Sequence, residues 1–438
     1  MNKHEKEWML YGHYDVAVIG AGPAGIGAAL AAARKGLKTI IVETYGFAGG
    51  VGTQSCCPIY FGFGVNGKQI TSGISEEFIH RMDNIGAASF IVDNGMDVAD
   101  YQPIEDKPIN ARVTLNCEAM KLVFDRMFKE SGVECLYYTT VAEAFVEDQK
   151  ITSVLIACLD GTYLLEADIF IDTTGNAQLC YLADPSSTIH CTKENGMHNS
   201  MFFEVGGVTP FDPEYNRRKY EIDVKNGKLP EYVWPYFGYS VELNPGVVQI
   251  AVCFDIGDGA NSAEMSQMGM RLRESVFKVF DYLKENMPGF RNSYLLNTAA
   301  KVGVRSSRNI IGDVCFTEEM LFSDTMFEPI TLCRRRYGMH SNSTKKFSAD
   351  WTRLENGFSG VPMGSLVPKA FDNVIVAGRC ISSVPQLIGT YRMMNMCMSM
   401  GEAAGLMSYI CVSKKKYTHQ VDYMSLRPYL LENGFILE

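Results

Sequence analysis

The stretch YDVAVIGAGPAGIGAALAAARKGLKTIIVE, residues 14–43, decides the fold. Asp15 to Ile19 is a short, valine-rich apolar run, the pattern of a strand buried in a parallel sheet. Gly20-Ala21-Gly22-Pro23-Ala24-Gly25 follows at once, and then an alanine-rich stretch to Arg34 with high helical propensity. Gly36 supplies the stop. Thr39 to Val42 is a second β-branched strand, closed by Glu43. This is a βαβ unit with G-x-G-x-x-G at its first turn. Gly20 permits the tight turn, Gly22 lets a pyrophosphate approach the backbone, and Gly25 lets helix and strand pack closely. Pro23 and Ala24 sit at the helix start, where free N–H groups and a partial positive charge favour phosphate. Glu43 would accept hydrogen bonds from a ribose diol.

Around this unit lies a chain of 438 residues, long enough for two to four structural units. Apolar residues are 47% and charged residues 21%, which excludes wholesale disorder. Forty lysines and arginines against 50 acidic residues leave a net charge of −10. With no basic block, nucleic acid is not an expected partner, and neither is an anionic membrane. No apolar run reaches the length of a membrane span, and the polar start MNKHEKEWMLYGHYD is unlike a signal peptide. Thirteen cysteines without a C-x-x-C pair fit reduced thiols in a cytoplasmic protein; no metal is expected.

Outward from residue 43, a glycine-rich loop runs through Gly49, Gly50 and Thr53. Residues 71–85 and 116–130 have helical periodicity. Residues 134–142 and 151–159 alternate like antiparallel strands, with Asp160-Gly161 as a turn. Residues 167–171 form another apolar strand, running into Asp172-Thr173-Thr174-Gly175. Residues 86–110 are irregular. Aromatic-rich strands fill 185–260, a long helix is expected over 262–286, and strand-like text ends in an arginine-rich turn at Arg334, Arg335 and Arg336. Asn373 to Ala377 is again a buried strand, and a last helix spans 393–410. The segment 255–262 offers a second G-x-G, but its acidic flanks suit a turn capping a helix. The expected fold class is α/β: a Rossmann-like parallel sheet with an inserted mixed and antiparallel α+β domain. The division is residues 1–184, 185–345 and 346–438.

Taken together, GAGPAGIGAALAAARKG…VE, GFAGGVGT, ADIFIDTTGNAQLC, VGVRSSRNIIGDVCFTEEML, SLVPKAFDNVIVAGRCIS and YRMMNMCMSMGEAAG resemble the bacterial FAD-dependent oxidoreductase family of the glutathione-reductase-type flavoprotein superfamily. The resemblance runs from about residue 14 to 410. It implies FAD as cofactor, with Gly49, Gly50 and Thr53 beside the ribityl chain and flavin ring, Thr174 and Gly175 near the adenine-side phosphates, and Gly378 and Arg379 at a strand end. Arg392, at the start of the last helix, would face the flavin pyrimidine edge and steady the charge of the reduced ring. Gly401 and Gly405 serve either helix packing or the cofactor. Asn176 stands where the family usually has aspartate, and residues 358–365 lack its usual tyrosine and arginine.

A flavin carries the redox chemistry, and the protein binds, orients and tunes. Substrate oxidation or reduction also asks for an anchor and a proton carrier. Arg305 and Arg308 suit a carboxylate clamp, and His340 is the first acid–base candidate. Tyr391 and Arg392 are alternatives. Tyr236, Phe237, Tyr239 and Phe254 line a pocket or pack a sheet. Cys56-Cys57 reads as two small buried residues, as a thiol relay, or as a covalent attachment point for flavin. The expected function is hydride transfer between flavin N5 and a small-molecule substrate, with an unknown electron donor or acceptor and a homo-oligomer left open. The competing readings are a flavin-bearing electron-transfer subunit of a larger complex and a non-redox user of the fold resembling thiazole synthases.

Overall fold

The computed structural model describes residues 8–60, 62–65, 68–91, 103–104, 107–108, 112–191, 196–234, 237, 241–340 and 349–438. One sheet dominates the first part of the chain. It is built from β1 (Met9–Ile19), β2 (Thr39–Val42), β3 (Glu134–Leu136), β4 (Thr140–Glu147), β5 (Lys150–Cys158) and β6 (Gly161–Asp172), with β7 (Val374–Val376) returning late in the chain. The order is β3-β2-β1-β6-β5-β4, and β7 pairs with the end of β6. β3, β2, β1, β6 and β7 are parallel, whereas β5 and β4 form an antiparallel meander.

Register places Leu136, Val42, Ile19, Asp172 and Val376 in one row across the five parallel strands. Everything the sequence assigns to phosphate and ribose follows directly after this row, at the carboxyl edge where open α/β sheets bind ligands. Two expectations need correction. Residues 134–142 are not one antiparallel strand: Tyr138 takes φ +55° and splits them into the parallel β3 and the antiparallel β4. Residues 167–171 are the end of the long β6, whose first half makes the hairpin with β5.

Helices α1 (Pro23–Arg34), α2 (Ile74–Asn84), α3 (Cys117–Ser131) and α5 (Met394–Lys414) cover one face of the sheet, sharing a core of Ile26, Leu30, Phe78, Phe124, Met398 and Leu406. α1 and α5 cross backbone to backbone. A Cβ on Gly401 would lie 1.8 Å from the Ala24 carbonyl oxygen, and one on Gly27 would lie 2.1 Å from that of Met398. Packing alone therefore accounts for Gly401 and Gly405.

A second sheet comes from the middle of the chain: antiparallel strands Val241–Asn244, Val247–Asp255, Asn199–Gly206 and Tyr294–Thr298, in that order. α4 (Ser262–Asn286) seals it with Met268, Leu272, Val276, Val279 and Leu283. The Asn261 side chain accepts from Glu264 N–H at 3.0 Å, so segment 255–262 is indeed a helix-capping turn. Arg334, Arg335 and Arg336 do not form a turn. They lie in strand Pro329–His340, paired with Ala349–Pro362, and follow a run of buried residues, Ile330, Thr331, Leu332 and Cys333, that anchors the strand. This hairpin straddles residue 345. No helix of the described residues is long and apolar enough to cross a membrane.

Candidate cofactor and active site

The first turn after β1 does what its glycines require. Gly20 takes φ +100° and donates its N–H to the Val42 carbonyl at 2.8 Å. A Cβ on Gly25 would sit 1.9 Å from the Gly20 carbonyl oxygen, so no side chain is tolerated there. Gly22 is different: its Cβ would meet nothing nearer than Gly50 Cα at 4.0 Å, leaving the backbone approachable. α1 then begins at Pro23 with no side-chain cap and no acidic residue in its first turn. An amino end left this way is an anion site.

Glu43 is 8% exposed and works as a clasp. Its carboxylate accepts from Ala21 N–H at 2.8 Å, Tyr45 N–H at 3.0 Å and Gln54 Nε2 at 3.2 Å. The loop it organises docks on the first turn through Gly49 N–H to the Ala21 carbonyl, at 2.8 Å. Thr53 folds back so that its hydroxyl donates to the Ala48 carbonyl at 2.8 Å. Thr53 is thus spent on closing the loop, and Gly50 rather than Gly49 lies against Gly22.

Across the row, Asp172 is fully buried and organises the next turn. It accepts from the Thr174 hydroxyl at 2.7 Å, Thr174 N–H at 3.0 Å and Cys180 N–H at 3.1 Å. Burial pushes its carboxyl up, against the pull of these bonds. Thr174 in turn accepts from Gln178 N–H at 2.8 Å. Gly175 makes room for Arg379, whose Nε would lie 2.8 Å from a Cβ at that position. Arg379 donates to the Val304 carbonyl at 2.7 Å and to the Asn176 side-chain oxygen, which also accepts from Ser307 Oγ at 2.7 Å. Asn176 is therefore the acceptor joining Arg379 to the segment that enters from the second sheet. Sequence reasoning missed Asp172 and Gln54 as site-builders. The only signal was an acidic residue at a strand end and an amide just past the glycine loop.

The catalytic candidates separate. Tyr391 is fully buried; its hydroxyl accepts from Asn309 Nδ2 at 3.2 Å and donates to the Arg379 carbonyl at 3.3 Å. Burial holds its phenol well above the usual range. It positions Arg379. Arg308 stacks on Tyr181 at 3.8 Å and donates to Gln178 Oε1 at 3.2 Å and toward the Ala260 carbonyl at 3.5 Å, which joins the second sheet's surroundings to the first. Arg305 lies over the Trp234 ring at 5.3 Å and donates to the His198 carbonyl at 2.7 Å. Arg392 directly precedes the Met393 cap of α5, another amino end with neither side-chain cap nor acid. His340 ends its strand opposite Ala349. Phe237 and Phe254 pack in the second sheet's core; Tyr236 and Tyr239 lie outside the described residues. All cysteines, Cys56 and Cys57 included, are free thiols.

An uncapped α1, an open Gly22, a carboxylate after β2 and a guanidinium after β7 fit a dinucleotide laid along the carboxyl edge, with its phosphates at Gly22 and a ribose toward Glu43. The class this defines is a Rossmann-like nucleotide-binding protein. The FAD-dependent oxidoreductase family matches residues 15–430, and the chain belongs to it. FAD is accordingly its cofactor, and the protein is an enzyme of that family. Over 162 residues it is 25% identical to digeranylgeranylglycerophospholipid reductase 1 of Methanococcoides burtonii, covering 37% of this chain and 38% of that protein. Over 48 residues it is 50% identical to a thiamine thiazole synthase of Archaeoglobus fulgidus, covering 11% of this chain and 18% of the relative. The matched stretches span well under half of either relative. Among solved structures, BexE, studied for oxidation during BE-7585A biosynthesis, superposes over 96% of this chain and 66% of its own with a TM-score of 0.53 at 12% identity, a likeness of fold.

Proposed function

We propose that the protein transfers a hydride between FAD and a small organic substrate held between the carboxyl edge of the first sheet and the second sheet. When bound, FAD supplies hydride exchange at its N5. The chain's own residues bind and orient. Gly20, Gly22, Pro23, Ala24 and Gly25 present the amino end of α1 to the phosphates, Glu43 takes the ribose, and Gly49, Gly50 and Gly378 allow close backbone approach. Arg379, set by Tyr391 and Asn176, places a fixed positive charge beside the cofactor. His340 is the acid–base candidate and Arg305 the substrate anchor.

The observation that carries this reading is that segment 301–305, arriving from the second sheet, runs against the loop that follows the glycines: Lys301 N–H donates to the Gln54 carbonyl at 3.0 Å. A second body of the protein thus closes directly over the cofactor loop, the arrangement that excludes water around a reacting substrate.

The test is anaerobic photoreduction of the FAD-loaded protein, followed by a panel of organic oxidants that includes unsaturated acids and polyprenyl lipids, the latter because of the M. burtonii relative. Recovery of the oxidised flavin spectrum with a small organic compound is expected. A reduced flavin that only a protein partner can reoxidise would make this an electron-transfer subunit, and a flavin that never cycles would make it a non-redox user of the fold.

A further inference from the structure

The chain that leaves the second sheet's edge strand, Tyr294–Thr298, makes a strap across the carboxyl edge of the first sheet. Ala299 N–H donates to the Phe202 carbonyl at 2.9 Å, and Gly303 and Ser200 exchange backbone bonds at 2.8 and 3.1 Å. Between these two anchors the chain bends at Ala300 and Lys301. Lys301 N–H turns away from the second sheet and donates to the Gln54 carbonyl of the glycine loop at 3.0 Å. Three residues on, the Val304 carbonyl accepts from Arg379 Nη1 at 2.7 Å. The strap therefore passes from the loop that follows β2 to the turn that follows β7. In sheet order these flank β1 and β6, whose ends carry the Gly20–Gly25 turn and the Thr174-Gly175 turn.

One cation stands in this strap. Val302 is buried in the second core, and its neighbour Lys301 reaches the other way, with Nζ 5.7 Å from the centre of the Tyr45 ring. Tyr45 lies two residues past Glu43, whose carboxylate holds its N–H at 3.0 Å. The ammonium is thus beside the group assigned to the ribose. Among the described residues Lys301 Nζ makes no ion pair and no hydrogen bond; its contact is the ring face. An ammonium carries three donors, and a π face attracts the charge without filling them. Arg379, by contrast, is occupied by Val304 and Asn176. Lys301 is exposed, yet the protein around it desolvates the ammonium and pulls it below the usual lysine value, with Arg379 acting the same way and Glu43 against it. A side chain both exposed and desolvated stands in an open cleft.

We propose that Lys301 is a cofactor-binding residue supplied by the second body, its ammonium donating to the FAD pyrophosphate and strapping it against the amino end of α1. The pyrophosphate oxygens fill the donors that Tyr45 leaves open, and the backbone ties to Phe202, Ser200 and Gln54 hold the strap without help from the ligand. Capture of the cofactor then ties the second body to the first. The inference rests on FAD as the cofactor and on no reading of the substrate or of the direction of electron flow.

The full chain, stripped of flavin, is titrated with FAD by flavin fluorescence, and ADP and adenosine are measured as competitors. Lys301→Met keeps an apolar stem over Tyr45 and removes the charge. It should weaken FAD and ADP roughly tenfold to a hundredfold, as expected for a lost charged hydrogen bond, and leave adenosine unchanged. Lys301→Arg should restore most of the loss, and Lys278→Met, on the exposed face of α4, should cause none. In parallel, lysines of the parent are acetylated with acetic anhydride and mapped by peptide mass spectrometry; FAD and ADP should protect Lys301, and adenosine should not. If Lys301→Met fails to fold, this footprint decides. Unchanged FAD affinity in Lys301→Met, or acetylation of Lys301 that FAD does not slow, overturns the strap. Equal weakening of ADP and adenosine, or equal protection by both, overturns the pyrophosphate assignment. A flavin bound in this way that never cycles would count against hydride transfer and leave the strap standing.

Discussion

Two long helices carry a glycine near their middle, and the two glycines teach opposite lessons. Gly401 in α5 faces α1 so closely that a Cβ would lie 1.8 Å from the Ala24 carbonyl oxygen and 2.6 Å from its carbonyl carbon. Gly269 in α4 is also buried, yet a Cβ there would meet nothing nearer than Arg273 Nη1 at 3.6 Å and Val302 Cγ2 at 3.8 Å. In the first body, glycines define contact between backbones that cannot yield. In the second, side chains set the packing, and the glycine is a missed opportunity. The same substitution therefore separates them. Alanine in place of glycine gains about 0.5–1 kcal/mol from helix propensity and a less free unfolded chain. For Gly401→Ala this is overwhelmed by the backbone clash, and a loss of about 3 kcal/mol or more is expected, with weakened FAD retention because α5 and α1 both carry site elements. For Gly269→Ala the gain should survive. Urea unfolding of the two variants checks this; equal signs would break the comparison.

That contrast also explains what was legible in the amino-acid sequence. The βαβ unit, the glycine loop and both long helices were legible because Gly20, Gly25 and the apolar strands are demanded by local backbone geometry, which a single chain displays, whereas strands 134–142 and 167–171 of the same sheet were misread because their pairing is set at long range. The site residues that act through others were not. Tyr391 was read as an alternative acid–base group, and its bonds to Asn309 and the Arg379 carbonyl have no counterpart in the sequence pattern. Asp172 and Gln54 have no pattern of their own; they matter because register brings distant turns together at the end of the parallel strands. The turn expected at Arg334–Arg336 is instead part of strand Pro329–His340, fixed by its pairing with Ala349–Pro362, which the local sequence does not display.

Glu402 sharpens the comparison from the side of α5. It is 2% exposed, and its Oε2 accepts from Ile74 N–H, at the start of α2, at 2.8 Å. Gly73 is needed beside it, since a Cβ would come 2.5 Å from that oxygen. Burial pushes this carboxyl up to about 8, beyond what the bond to Ile74 and the distant Arg34 recover. A carboxyl whose folded value lies above its unfolded one binds a proton more tightly when folded, so its contribution is full below the unfolded value near 4.5 and is lost as pH rises through about 8. Glu402→Gln keeps an acceptor for Ile74 N–H and removes the charge. Its stability relative to the parent should be near equal at acidic pH and higher at alkaline pH, by about 5 kcal/mol at most. Parallel pH curves for parent and variant would show that the carboxyl does not carry this linkage.

The smallest effect falls at the loop between the two bodies. Cys56 is a non-glycine residue at φ +51°, in a loop where Gly49 and Gly50 already take positive φ. A β-carbon in that region costs about 1 kcal/mol, so glycine at 56 relieves strain in the folded state. It also frees the unfolded chain by a similar amount. Since Gln249 bonds the carbonyl of residue 56 rather than its side chain, the link to the second sheet is retained. The two terms nearly cancel, and Cys56→Gly should change stability by less than about 0.5 kcal/mol. A loss of about 2 kcal/mol or more would mean that the thiol itself fills space essential to the join between the bodies, and the division into a backbone-defined part and a side-chain-defined part would then fail at the place where they meet.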